Sequence, residues 1–372
     1  MRVLISPDKF KHSLSASQVC LAVEAGIKSV IPEAIIEKLP LADGGEGSLE
    51  ILEANLNADR IEIEVSDPLF RPIKAWYLLD GEKAYVEMAK ASGLPLLKAH
   101  ERSVMNASTY GTGELIADAI DHGAKEIFVM IGGSATNDGG CGMAEALGAK
   151  FYDKQGKLLK AIRAKDLINI GSIDTSKVAN IKELSFTILS DVQNPLTGTN
   201  GASLVFAKQK GATKKEALSL DEGLQNLASV LNNGFEDSPG SGAAGGLGYG
   251  LISFLGAELR SGIESVMKLL NYDQALLGVD IVITGEGKLD SQTLEGKVIS
   301  GVKSRCKNKK IPIGIICGVV EDLEKIKDEL NLELIFQVSD KASSSKDSIK
   351  NAGVYVEQLA RELINNFVSK SD

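Results

Sequence analysis

Five stretches of the chain carry a carboxylate, four of them beside glycine or a cation, and these residues have the most chemistry to offer. They are Ser6-Pro7-Asp8-Lys9; Asp43-Gly44-Gly45-Glu46-Gly47; Gly132-Gly133-Ser134-Ala135-Thr136-Asn137-Asp138-Gly139-Gly140; Asp191-Val192-Gln193-Asn194-Pro195; and Gly285-Glu286-Gly287-Lys288-Leu289-Asp290. Any one of them reads as a surface turn. Together they fit phosphoryl transfer. Glycine lets backbone N–H groups come close to phosphate oxygens, and helix N-termini add partial positive charge. Carboxylates hold Mg²⁺, which keeps several waters and takes only one or two protein ligands. A Lys or Arg offsets charge on the group in flight.

Plain structural readings stand beside these. Asp43 with Glu46 suits the start of a helix, and Asp138 suits the start of one over 140–148. Lys9 and Lys11 also suit a solvated surface. Asp80-Gly81 reads as a hairpin turn, and the lone Trp76 as core. No P-loop motif occurs, since Gly287-Lys288 and Gly296-Lys297 lack both the upstream glycine and the following hydroxyl. Gly240-Ser241-Gly242-Ala243-Ala244-Gly245 matches a dinucleotide fingerprint in spacing, but no strand precedes it. It reads better as a glycine-rich phosphate or substrate loop.

The elements that must position these residues begin with an apolar run at 2–6. Ser15 and Gln18 then form a capping box for a helix bearing Val19, Val23, Ile27 and Val30. A second strand at 35–40 and a helix at 47–56 complete a β-α-β-α start, which argues for a parallel sheet. The rhythm changes at 61–66, 73–79 and 83–88, strand-like runs with short links, the first alternating as a half-exposed antiparallel strand does. A helix after residue 110 precedes the strand at 126–131. Further strands are expected at 185–190 and 203–206, and a helix over 262–277. Strands at 280–284, 311–317 and 333–338 and a closing helix at 352–368 follow. In open parallel sheets ligands bind at the carboxyl ends of the strands, which is where the five stretches fall.

With 372 residues the chain exceeds what one core usually supports. The expected fold is α/β: a discontinuous flavodoxin-like parallel-sheet domain from 1–57 and 280–372, with a mixed α/β domain of 58–279 inserted and the active site in the cleft between them. A formal charge of −9 disfavours nucleic acid and obliges an anionic substrate to find local donors. The four cysteines are scattered and read as buried thiols, and the three histidines are too dispersed for a metal centre. The first residues read as a strand, not a leader, and the longest apolar run, 311–320, is too short to span a membrane. A cytoplasmic enzyme of small molecules is expected.

Seven ordered blocks resemble the bacterial type-1 glycerate kinase family: 6–16 (SPDKFKHSLSA), 40–48 (PLADGGEGS), 110–115 (YGTGEL), 132–143 (GGSATNDGGCGM), 190–196 (SDVQNPL), 242–248 (GAAGGLG) and 285–293 (GEGKLDSQT). The resemblance implies transfer of the ATP γ-phosphoryl group to D-glycerate with Mg²⁺, at the 2- or the 3-hydroxyl, and an inserted domain of restriction-endonuclease-like fold. The chain departs from the family pattern at His12, where glycine is usual, at Ser103-Val104-Met105 and at Ala207-Lys208.

By position and residue type, Asp191 is the candidate base, with Asp8 behind it and Lys9 as a cation at the reacting group. Arg102 or Lys9 would clamp the substrate carboxylate. Ser108, Thr109, Asn137 and Asp138 would meet the rest of the substrate. Gly44, Gly45, Gly132, Gly133, Ser134, Gly285 and Gly287 would face the nucleotide, and Asp43, Glu286 and Asp290 the metal. The competing readings are an NAD-dependent hydroxy-acid dehydrogenase, resting on 240–245, and a non-catalytic module that binds small acids.

Overall fold

The computed structural model describes residues 1–179, 181, 183–289, 298–330 and 334–371. The chain divides into two compact units, Met1–Asp43 with Ile263–Asp372, and Gly44–Gly262. These joins fall earlier in the chain than 57/58 and 279/280. The helix Ser48–Asn55 packs on the strands Pro72–Asp80 and Lys83–Glu87 of the continuous unit. The helix Gly262–Leu269 sets Ile263 and Met267 against Gly301 of the discontinuous one.

The discontinuous unit holds a five-stranded sheet in the order Ile335–Gln337, Ile313–Cys317, Ile281–Thr284, Arg2–Ile5, Ile35–Lys38. Every neighbouring pair is parallel. Val3, Leu4, Ile5 and the whole of Ile313–Cys317 are buried, which is why these runs are apolar without alternation. The helix Ala16–Lys28 starts at the expected capping box: Gln18 N–H donates to Ser15 Oγ at 3.2 Å, and Ser15 N–H donates to Gln18 Oε1 at 2.8 Å. Its Val19, Val23 and Ile27 share a core with Val356, Leu359 and Leu363 of the closing helix Ala352–Ser371.

The continuous unit is built on a mixed six-stranded sheet, in the order Glu258–Arg260, Ser185–Leu189, Glu126–Met130, Lys83–Glu87, Pro72–Asp80, Asp59–Ser66. The first four run parallel, and the last two pairings are antiparallel. A smaller antiparallel sheet joins Lys150–Asp153 to Leu158–Leu159 and Ile170–Asp174. Asp80 pairs with Lys83 across the hairpin expected at Asp80-Gly81. Trp76 is 9% exposed, with the Arg60 guanidinium 4.1 Å above its ring.

Two expectations are corrected. Residues 203–206 are not a strand but part of the helix Ala202–Phe206. The run is short and apolar, so periodicity alone does not separate the two states, and Val205 in its middle is exposed. Residues 262–277 are two helices, Gly262–Leu269 and Tyr272–Ala275, because Asn271 between them takes a left-handed conformation with φ 51°. Among the described residues no helix is long and apolar enough to cross a membrane.

His12 has φ 67°, in the turn where Leu14 N–H returns to the Phe10 carbonyl at 3.0 Å. A side chain there meets the left-handed steric penalty, which accounts for glycine in the family pattern. His12→Gly is expected to raise the unfolding free energy by about 0.5–1 kcal/mol, the penalty less glycine's larger chain entropy. Urea denaturation measures it, and an unchanged or lower midpoint contradicts it.

Candidate functional site

In the continuous unit four motif loops meet through their glycines. A Cβ on Gly132 would stand 2.5 Å from Gly45 Cα, so the backbones of 132–140 and 44–47 touch where no side chain fits. A Cβ on Gly245 would stand 2.0 Å from the Thr136 carbonyl oxygen, and Gly245 has φ 70°. Gly139 N–H donates to the Gly245 carbonyl at 3.1 Å, and Gly242 N–H to the Asn194 carbonyl at 2.9 Å. The segment 240–250 is thus a packing partner of 132–140 and 191–196. Its left-handed residues Ala244, Gly245 and Gly246 and its lack of a preceding strand remove the dinucleotide-fingerprint reading. The predicted residues Gly44, Gly45, Gly132, Gly133 and Ser134 all belong to this cluster.

Asp138 is fully buried, and its oxygens are taken by the protein itself. Its Oδ2 accepts the Thr109 N–H at 2.7 Å, the Thr109 hydroxyl at 2.9 Å, the Gly142 N–H at 3.2 Å and the Ser108 hydroxyl at 3.4 Å. Its Oδ1 accepts the Gly140 N–H at 3.3 Å. Thr109 Oγ1 in turn accepts the Met143 N–H at 2.9 Å. Ser108, Thr109 and Asp138 therefore form one knot that ties together the starts of the helices Tyr110–Asp121 and Cys141–Ala146. Burial outweighs these donors and raises the Asp138 carboxyl above its ordinary pKa.

The neighbouring side chains differ. Among the described residues, Thr136 Oγ1 and Asn137 Oδ1 are buried with no hydrogen-bond partner, while Asn137 Nδ2 donates to Ser203 Oγ at 2.9 Å. An unsatisfied buried polar atom costs about 1–3 kcal/mol unless water or a ligand completes it. Arg102 is exposed, and its carbonyl lies against Gly211. Asp191 Oδ1 accepts the N–H of Gly262, at the start of the helix Gly262–Leu269, at 3.1 Å.

Two side chains escaped sequence reasoning. Glu87, 0% exposed, accepts the Gly47 N–H at 3.2 and 3.1 Å through its two oxygens and the Leu49 N–H at 3.0 Å. It holds the start of Ser48–Asn55, where the N-cap residue Gly47 has no side chain to do so. Desolvation raises its carboxyl, opposed by Lys90 and these N–H groups. A carboxylate ending a strand was the available signal. Lys210, 2% exposed, donates to Ser134 Oγ and to the Thr136 carbonyl, both at 2.7 Å. Burial pulls its ammonium down to about 7 against the field of Asp138. Lysine is so seldom buried that no sequence signal pointed to it.

In the discontinuous unit, Asp8 N–H donates to the Gly285 carbonyl at 2.8 Å, and Asp8 Oδ1 accepts the Lys9 N–H at 2.6 Å. The stretches 6–9 and 285–287 thus adjoin at the ends of neighbouring strands. Glu286 is 5% exposed. Asp43 closes this unit's first segment, and Asp290 lies outside the described residues. A cavity of about 430 Å³ opens at the carboxyl ends of the sheet, bounded among others by Phe10, Lys11, Gly287, Gly318, Val338 and Ser348. Among the described residues no group of three or more His, Cys, Asp or Glu is arranged to hold a metal ion. The four cysteines are free and buried, as read from their scatter.

A fold with parallel strands ending in such loops defines an α/β enzyme class, and comparison narrows it. The model of the glycerate kinase family matches residues 3–368. The chain is 39% identical to the glycerate kinase of Bacillus subtilis (strain 168), over 98% of this chain and 97% of that one. It is 40% identical to the glycerate 2-kinase of Escherichia coli (strain K12), over 95% and 94%. A crystal structure described as a candidate glycerate kinase 2 from Salmonella typhimurium LT2 superposes with a TM-score of 0.79 at 38% identity, covering 100% of this chain and 99% of that one. The chain belongs to the glycerate kinase family and is a kinase, a phosphotransferase with an alcohol group as acceptor.

Glu87 generates a test of the loop geometry. Glu87→Gln replaces one of two acceptor oxygens with an NH₂ that faces N–H donors. Unfolding free energy is expected to fall by about 1–3 kcal/mol. A urea midpoint equal to wild type would show that Gly47 and Leu49 do not depend on this carboxylate.

Proposed function

We propose that the protein phosphorylates D-glycerate with ATP, giving a phosphoglycerate. The observation that carries this reading is the cluster of loops 44–47, 132–140 and 191–196, with its buried, unpartnered Thr136 and Asn137 atoms. The name of the E. coli relative, glycerate 2-kinase, favours the 2-hydroxyl as acceptor. The parallel sheet order supports a flavodoxin-like reading of the discontinuous unit, and the mixed sheet a restriction-endonuclease-like reading of the continuous one. Four free thiols fit a reducing cytoplasm.

The acceptor hydroxyl needs a base, and Asp191 is the residue we assign, with Asp8 as the second candidate and Lys9 as a cation that would offset phosphoryl charge. The Gly262 N–H fixes one Asp191 oxygen and so orients the carboxylate. Arg102, exposed beside Gly211, would clamp the glycerate carboxylate. Ser108, Thr109 and Asp138 would act by holding the loop that carries Asn137. Mg²⁺ bound with ATP neutralises phosphate charge. Asp43 and Glu286 are oxygen donors suited to it, and so few carboxylates fit an ion held mainly by phosphates and water. Gly285 and Gly287 let the backbone approach phosphate. The adjoining cavity, with its aliphatic and aromatic walls, hydroxyls and one lysine, has the size and chemistry for the adenosine half of ATP.

Incubation with ATP, Mg²⁺ and D-glycerate, followed by ³¹P NMR, is expected to show ADP and one phosphoglycerate. ADP formation that does not depend on glycerate contradicts the reading. Asp191→Asn keeps the bond from Gly262 and removes the base, so kcat should fall roughly 10²–10⁴-fold with ATP affinity unchanged. A folded variant retaining more than about a tenth of wild-type kcat moves the role to Asp8. Ser348→Trp fills the cavity from its rim, and the KM for ATP should rise about tenfold or more while that for glycerate holds. Equal KM values for ATP would place the adenosine elsewhere.

A further inference from the structure

Lys210 ends the short helical turn Lys208–Lys210, and Gly211 after it packs against the Arg102 carbonyl. Its amine reaches two groups of the 132–140 loop, the Ser134 hydroxyl and the Thr136 carbonyl, each at 2.7 Å. Both are neutral acceptors, an unusual setting for a lysine that is 2% exposed. Thr136, one of the residues it grips, and Asn137 after it each carry a buried polar atom that no described residue satisfies, Thr136 Oγ1 and Asn137 Oδ1. These differ in kind. A threonine hydroxyl donates, whereas an amide oxygen only accepts. The pair complements a molecule offering a carboxylate to one and a hydroxyl to the other.

We propose that Lys210 is a positioning residue for the acceptor substrate: through Ser134 and Thr136 it holds the 132–140 loop so that the Thr136 hydroxyl donates to the carboxylate, and the Asn137 oxygen accepts from a hydroxyl, of a small hydroxy acid. This rests on the glycerate kinase reading and adds Thr136 and Lys210 to it. The buried amine, poised near neutrality with Asp138 as the charged group whose field reaches it, gains a proton more readily once an anion lies beside the loop. Binding of the acid therefore takes up protons.

The test uses the full chain, steady-state kinetics with ATP and D-glycerate, and thermal melts. Thr136→Val keeps the shape and removes a hydroxyl that has no partner in the free protein. It should leave Tm equal or higher while raising the KM for D-glycerate at least about tenfold, with the KM for ATP unchanged. A merely structural threonine gives the opposite pair, a lower Tm and an unchanged KM. Lys210→Met should lower kcat/KM for D-glycerate about 100-fold through misplacement of the loop. Calorimetry of D-glycerate binding to wild type in buffers of different ionisation enthalpy should report proton uptake near pH 7, and Lys210→Met should abolish it. Should Lys210→Met not fold, Thr136→Val decides alone. A Thr136→Val enzyme with wild-type KM for D-glycerate, or a folded Lys210→Met enzyme within about threefold of wild-type kcat/KM, overturns the proposal. A wild-type enzyme without glycerate-dependent ADP formation, by contrast, sinks the parent reading together with it.

Discussion

Backbone touching backbone is the constraint on which the candidate site depends. Loop 132–140 lies against 44–47 at Gly132 and Gly45, and against 240–250 at Gly245, with separations that leave no room for a Cβ. Interiors are close-packed and do not yield to an extra methyl group. The glycines are therefore first a solution to a packing problem.

Around this contact the protein buries Asp138 and Lys210 without an ion-pair partner, and Glu87 with only Lys90 at 3.7 Å. Glu87 and Asp138 take backbone N–H groups and hydroxyls, and Lys210 takes a hydroxyl and a carbonyl. Such bonds satisfy geometry but leave desolvation largely uncompensated, and all three groups are shifted toward their neutral forms. A loop cluster held this way is specified by direction and distance, which an ion pair between flexible side chains does not achieve.

Much of this was legible beforehand because it follows from short-range pattern. Apolar runs ending in Asp-Gly or Gly-Glu stretches marked the strand ends, Ser15 with Gln18 marked a helix start that formed as expected, and the ordered blocks carried the family resemblance that a match over residues 3–368 bears out. What stayed hidden depends on distant partners. That Asp138 is committed to Thr109, that Glu87 rather than a loop residue receives the Gly47 N–H, and that Lys210 is buried are facts about residues tens of positions apart. The run 203–206 misled because three consecutive apolar residues, Leu204 to Phe206, carry no decisive period. Asp290, one of the metal-side candidates, lies outside the described residues.

The sheet of the discontinuous unit sets an order of events in synthesis. Val3 pairs with Ile281, yet the whole of Gly44–Gly262 leaves the ribosome between them. At about 5–20 residues per second the first strand waits roughly 15–60 s for its neighbour. Throughout that interval Arg2–Ile5 and Ile35–Lys38 are a two-stranded fragment, too small to be stable alone. The continuous unit has all its strands by residue 260 and is free to fold meanwhile. The nascent chain thus carries a finished middle while its first two strands still wait for the rest of their sheet.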